Sequence, residues 1–175
     1  MTAFISPTGL LAYFITFATY GSRLHGDERG SVRRGTVEVV VAPDRWMVAA
    51  EARLMRDPAF ILDERQRQVV ADTVVETCKH RDWGLVAVNV RTNHVHAVVV
   101  AGVRPEEVMN AFKAWSTRRL RERGLVDRER QPWTRHGSTR YLWDEKSVES
   151  AVEYVVNGQG ADIPGSTPMG FATER

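Results

Sequence analysis

One cysteine, Cys78, is all the thiol chemistry that the 175-residue chain carries. An internal disulfide is excluded, and so are zinc sites built from clustered cysteines. Cys78 falls in an apolar-periodic segment, so a buried, inert thiol is expected. Long hydrophobic runs are also missing. None approaches the roughly 20 residues that a membrane-spanning helix needs. The apolar stretch "GLLAYFITFATYGS", Gly9–Ser22, has no basic region ahead of it and no small-residue cleavage site behind it. It reads as a strand, and a cytoplasmic protein is the expectation. There is no internal repeat, and no strong net charge: 24 basic residues face 22 acidic ones, formally +2. Histidine is scarce, with five in the chain.

What is present suffices for one folded domain. Hydrophobic residues make up 43% of the chain, enough to bury a core. "LAYFITFAT", Leu11–Thr19, is rich in aromatic and β-branched residues and reads as a central strand. A glycine-punctuated basic loop, "GSRLHGDERGSVRRG", follows, then a short extended "TVEVVV" and a helical Arg45–Met55. Asp63–Asp82 reads as a helix, with Asp63 and Gln66 in capping-box spacing and an apolar stripe of Val69, Val70, Thr73, Val74 and Thr77. Trp83–Val90 and Val95–Val100 read as an antiparallel hairpin joined by a short link. Pro105 opens a further helix with Glu106 and Glu107 in its first turn and a stripe of Val108, Ala111, Phe112 and Trp115. "STRYLW" is another strand within Trp133–Trp143. Ser147 is placed to cap a last helix, Val148–Asn157, which Gly158 stops.

The order strand, helix, strand, strand, helix, strand, helix is the ferredoxin-like split βαβ pattern with one helix added. The expected fold is therefore α+β: an antiparallel sheet with helices on one face and an extra C-terminal helix. Residues 1–159 form a single domain in this reading, with an insertion at about 21–60. Residues 160–175, rich in Gly, Pro, Ser and Thr, are expected to be a loose tail.

The near-neutral total hides an asymmetry. Between Lys113 and Arg140 stand nine basic and three acidic side chains. Such a patch suits a polyanion, or equally a solvated helix face. Lys113, Arg118, Arg119 and Arg140, interleaved with tryptophans, are the candidate contacts to a nucleic acid.

The two closest histidines stand in "TNHVHAVVVA", Thr92–Ala101. Residues i and i+2 of a strand share a face, so His94 and His96 project side by side. Two imidazoles so placed can hold one cation with positions left open. They can also be ordinary polar residues on a half-buried sheet, and spacing alone does not separate the two. Other His-x-His chemistries are excluded. A histidine-triad hydrolase needs a third histidine where Val98 stands, and the two-histidine phosphoesterases need paired His-x-Thr or His-x-Ser motifs that are missing.

"TNHVHAVVVA" resembles the His-hydrophobic-His signature of the one-tyrosine HUH transposases. These include single-strand DNA transposases of insertion sequences and the tyrosine transposases linked to repeated palindromes. The likeness extends to the order of elements, to "AFKAWSTRRL", to "STRYLWDEKS" and to "VEYVVNGQG", over Leu11–Gln159. It implies that Tyr154, on the last helix, is the nucleophile that forms a 5′-phosphotyrosine link and releases a 3′-hydroxyl. It implies a divalent metal, Mg²⁺ or Mn²⁺, on His94 and His96, single-stranded or hairpin DNA as partner, and a homodimer. The rival tyrosine, Tyr141, sits in a strand. A non-catalytic DNA-binding protein on the same fold is the alternative, and a metal-dependent nuclease without rejoining a third reading.

One position departs from the family pattern. The third ligand of many members lies four residues after the tyrosine, where this chain has Gly158. Asn157 and Gln159 flank it. A helix ending at Gly158 releases Gln159 from helical spacing, so Gln159 is preferred as the third ligand.

Overall fold

The computed structural model describes residues 9–22, 31–33, 39–41, 44–158 and 169–170. Seven strands and four helices follow in chain order: β1 Ala12–Thr19, β2 Ser31–Arg33, β3 Val39–Val41, α1 Arg45–Leu54, α2 Glu64–Arg81, β4 Gly84–Val90, β5 His94–Val100, α3 Pro105–Glu122, β6 Trp133–Leu142, α4 Glu145–Val156 and β7 Met169–Gly170. The main sheet has the order β6-β1-β5-β4-β7. Every pairing in it is antiparallel. Its first four strands have the spatial order of the split βαβ pattern. The fold is α+β, as the element order implies. Met169–Gly170 pairs with Ala87 and Val88 at the sheet edge, so this part of the expected loose tail is docked on β4. Within the 21–60 insertion, β2 and β3 form a two-stranded ribbon and α1 follows.

Alternation along β1 divides the core. Tyr13, Ile15 and Phe17 point to one face, where they meet Val95, Ala97 and Val99 of β5, Val70 and Val74 of α2, and Val108, Phe112 and Leu120 of α3. Burying each such large side chain contributes roughly 1.5–3 kcal/mol. Ala12 and its opposite-facing neighbours meet Ala87, Val98 and Leu142, covered by Ala151 and Val155 of α4. The two-residue period therefore sends His94 and His96 to the α4 face, because Val95, Ala97 and Val99 take the other.

Local signals explain the element ends. Asp63 and Gln66 form the reciprocal capping box of α2, and the whole expected stripe of that helix is buried. Two details differ from the sequence reading. Asp144, not Ser147, caps α4: its carboxylate accepts from the Ser147 backbone and hydroxyl, at 2.8 and 2.7 Å. The helix thus starts one turn earlier. The buried stripe of α3 also includes Met109, Lys113, Ser116 and Leu120, while Ala111 and Trp115 are half-buried.

Lys113 was expected on an outer surface. Its side chain instead runs beneath β6 and its ammonium donates to the carbonyls of Thr134, Arg135 and His136, at 3.1, 3.4 and 3.1 Å. The β1–β6 register slips there, between Phe17 and Thr19. A bulged backbone leaves carbonyls without ladder partners, and a buried cation satisfies three of them. Burial holds the Lys113 amine below the usual lysine range.

Candidate active site

The β4–β5 turn places the first histidine. The Asn93 carbonyl accepts from the Thr19 amide, the Thr19 hydroxyl and the Ser22 hydroxyl, at 2.9, 3.2 and 3.2 Å. The Leu62 amide donates to the Thr92 carbonyl at 2.7 Å. "TNH" is thus a turn clamped to the end of β1 and to the chain entering α2.

Both imidazoles are oriented through Nδ1. His94 Nδ1 lies 2.6 Å from Asn93 Oδ1. An amide oxygen only accepts, so Nδ1 of His94 is the donor in this contact. His96 Nδ1 lies 2.7 Å from the Thr16 hydroxyl, on the residue directly across the β1–β5 pair. Oxygen partners at Nδ1 make Nε2 the coordinating nitrogen in a metal-binding histidine. The two ring centroids are 4.6 Å apart. His94 is half-buried and His96 is 6% exposed.

Tyr154 comes to the same place from the opposite layer. Small and branched residues, Ala151 and Val155, seat α4 on the sheet. That roll leaves Tyr154 at the rim, 46% exposed. Its ring centroid is 5.4 Å from that of His96 and 6.0 Å from that of Phe14. Phe14 stacks on His96 at 5.5 Å. One chain therefore brings together His94, His96 and Tyr154, which are 60 residues apart in sequence at the extremes.

The donor set fits a divalent cation with two nitrogen ligands and open positions. No group of three or more His, Cys, Asp or Glu gathers around a common point among the described residues. The Asn157 amide nitrogen donates to the Glu153 carboxylate at 2.9 Å. Gln159 lies outside the described residues. Gly158 has its own role, since a Cβ there would stand 2.8 Å from Cδ2 of Tyr154.

The basic residues divide. Arg118 pairs with Glu122 at 2.8 Å, and Arg119 with Glu76 at 3.1 Å and Glu122 at 3.3 Å. Hydrogen bonding to Arg118, foremost, holds the Glu122 carboxyl below its usual range. An open cleft of ≈ 770 Å³ runs along α3, lined among others by Arg118, Arg121, Arg128 and Trp133. It lies on the α2/α3 side, because Trp133 packs edge-on against Phe17. Arg140 stands on the other side, its guanidinium 5.8 Å from the Phe14 ring centroid. Cross-strand pairing with Phe14 puts it on the histidine face. Tyr141, the rival tyrosine, faces the α3 side with Tyr13. It is separated from the histidines by the sheet. Burial raises the Tyr13 hydroxyl above the usual phenol range, with Tyr141 and Glu106 adding to the effect.

Thr16, Asn93 and Phe14 were not among the candidates read from sequence. Asn93 had a signal, since it is the last residue of the turn before His94. Thr16 and Phe14 had none, because only the β1–β5 register brings them to His96.

The family model of IS200-like transposases matches residues 55–157, more than half of the chain. The chain belongs to the IS200-like transposase family. The matched span includes β4, β5, α3, β6 and α4, and with them His94, His96 and Tyr154. No curated protein matches the chain in sequence. Among solved structures, it is similar to a REP-associated tyrosine transposase bound to a REP hairpin, with 13% identity and a TM-score of 0.49 over 84% of this chain. The chain spans 65% of that protein's length. It is also similar to a transposase candidate from Deinococcus radiodurans, with 15% identity and a TM-score of 0.44, over 87% of this chain and 93% of that one. No helix of this IS200-like chain is long and apolar enough to cross a membrane among the described residues.

Proposed function

We propose that this protein cuts and rejoins single-stranded DNA through a covalent link to Tyr154. The single observation that carries the reading is the convergence of Tyr154 with the His94–His96 pair in one chain, at 5.4 Å between the Tyr154 and His96 rings.

The chemistry follows from the parts. A phosphodiester repels nucleophiles through its charged oxygens. Mg²⁺ or Mn²⁺ held by Nε2 of His94 and His96 would supply Lewis acidity toward a non-bridging oxygen. The chain's own contribution is to aim: Thr16 and Asn93 hold the imidazoles, and α4 holds the phenol. Tyr154 Oη forms a bond to phosphorus as the bond from phosphorus to the 3′-oxygen breaks. The phenolic proton is lost, and the leaving 3′-oxygen gains one. The tyrosyl ester conserves the bond energy, so a 3′-hydroxyl can later reverse the step without a nucleotide cofactor. A phenol, with an ordinary pKa of about 10, needs this help to react near neutrality.

The solved hairpin complex among its structural neighbours makes hairpin DNA the first substrate to try. The duplex stem sits in the cleft of Arg121 and Arg128, and the single strand crosses the β6 edge past Arg140 to Tyr154. A second copy completes the expected homodimer.

The test is a denaturant-stable protein–DNA adduct, formed with Mn²⁺ from hairpins whose single-stranded flanks are randomised. Wild type and Tyr141→Phe form it; Tyr154→Phe and His96→Ala do not, while still binding hairpin. An adduct that survives Tyr154→Phe and vanishes in Tyr141→Phe refutes the assignment. No adduct from wild type makes a non-catalytic DNA-binding protein the better reading.

A further inference from the structure

Asn89 is a polar residue that neither the sequence motifs nor the chemistry above accounts for. It lies on β4 directly across the strand pair from His96 and is 3% exposed. Its amide Nδ2 donates to the carbonyl of Val155 at 2.8 Å. Val155 follows Tyr154 and belongs to the last turn of α4, where helix carbonyls lack partners within the turn's own hydrogen-bond pattern. A carbonyl only accepts, so the NH₂ side of the amide must face it, and the orientation of Asn89 is determined. The amide oxygen points elsewhere, and no donor reaches it among the described residues.

Those facts are hard to reconcile with a plain packing role. The surroundings are apolar, with Ala87, Val98, Ala151 and Val155 close by in the same layer. A leucine would fill a similar volume without an orphaned oxygen. Retaining an amide here makes sense if its donor matters. We infer that Asn89 is a positioning residue for the nucleophile: it ties the turn carrying Tyr154 to the strand beside the histidines. It fixes the height and roll of the phenol relative to His96. The inference rests on the reading of Tyr154 as nucleophile. Its effect belongs to the chemical step, because neither the histidine nitrogens nor the α3 cleft is touched.

The experiment compares wild type with Asn89→Leu, which keeps the branched skeleton but cannot donate, and Asn89→Asp, which keeps shape but offers two acceptors to the Val155 carbonyl. Adduct formation with Mn²⁺ and a reactive hairpin is followed in single turnover, alongside Mn²⁺ titration, hairpin affinity and amide hydrogen exchange. Both variants are expected to form adduct about ten- to a hundredfold more slowly. In Asn89→Leu, hairpin affinity and Mn²⁺ affinity stay within twofold, and exchange accelerates in the last turn of α4 but not in α2 or β5. A wild-type rate in Asn89→Leu, with unchanged exchange in α4, overturns the tether while leaving Tyr154 as nucleophile. Loss of hairpin or Mn²⁺ binding in step with the rate also overturns it, because the defect would then be general. If wild type itself forms no adduct, the underlying reading falls, and the role of Asn89 falls with it.

Discussion

The ring of Tyr154 occupies the space that a side chain at position 158 would need. A Cβ on Gly158 would lie 2.8 Å from Cδ2 of Tyr154 and 2.9 Å from its Cα and carbonyl oxygen. Backbone atoms are among the obstacles, so rotating the tyrosine alone does not relieve the contact. Position 158 is also where a third ligand is expected from the resemblance. In this chain, that position holds a glycine packed against the Tyr154 ring.

Gly158→Ala should therefore push the phenol or the end of α4 aside. A misplacement near 1 Å costs on the order of a hundredfold in rate, so adduct formation should drop about ten- to a hundredfold. Hairpin affinity should hold, since the cleft lies across the sheet. Equal rates for Gly158→Ala and wild type in single turnover would show that the ring has room to spare.

Thr16→Val removes the oxygen beside His96 Nδ1 while keeping a β-branched residue in a strand. Loss of such a partner typically weakens metal affinity about 10- to 100-fold. Calorimetric titration with Mn²⁺ should show a decrease of that size, and the same titration of His96→Ala sets the floor. Unchanged affinity in Thr16→Val would show that the Thr16 hydroxyl does not position His96 for metal.

Lys113 and Arg128 should behave as opposites despite their equal charge. Lys113→Met removes the ammonium from three β6 carbonyls, of which that of His136 keeps the Thr134 hydroxyl as a donor, and this should cost about 1–3 kcal/mol in denaturant unfolding. The salt dependence of hairpin binding should barely change for a correctly folded Lys113→Met. Arg128 is exposed in the cleft, and Arg128→Ala should lower the salt slope by about 1 with little change in stability. The reverse pattern would place the phosphate contacts on the wrong side of α3.

Burial pushes the Cys78 thiol up to about 12. A raised thiol pKa means that the reactive thiolate is scarce until the pH approaches that value. At pH 8 an aromatic disulfide reagent should react with the native protein no faster than global unfolding allows, and rapidly in denaturant. Prompt labelling of the native protein would place Cys78 outside the core.

Much of the architecture was legible because its signals are local. The Asp63–Gln66 capping box, the stripe of α2 and the Arg91–Asn93 link each reflect contacts within a few residues. The α4 start was misread by one turn because Asp144 and Ser147 are both competent caps, and only the folded chain shows the carboxylate accepting from the serine. The basic residues offered as DNA contacts have intramolecular partners that the sequence does not reveal, for a similar reason. Charge is written in the sequence, but its availability is not. Glu76 lies 43 residues from Arg119, and the β6 bulge that engages Lys113 is more than 20 residues away from it.

By itself, the sequence determined which residues could do chemistry and which face of a strand they share. His94 and His96 lie on one side because a strand repeats every two residues, and Tyr154 lies off the apolar stripe because a helix repeats every 3.6. Only the tertiary structure decided that these two faces meet. Ala151 and Val155 draw α4 onto the sheet face opposite α2 and α3, and the β1–β5 register sets Thr16 against His96. The same layering separates the α3 cleft from the histidines by the thickness of a sheet. Periodicity is a property of a segment, whereas the meeting of segments depends on long-range packing that no local pattern records.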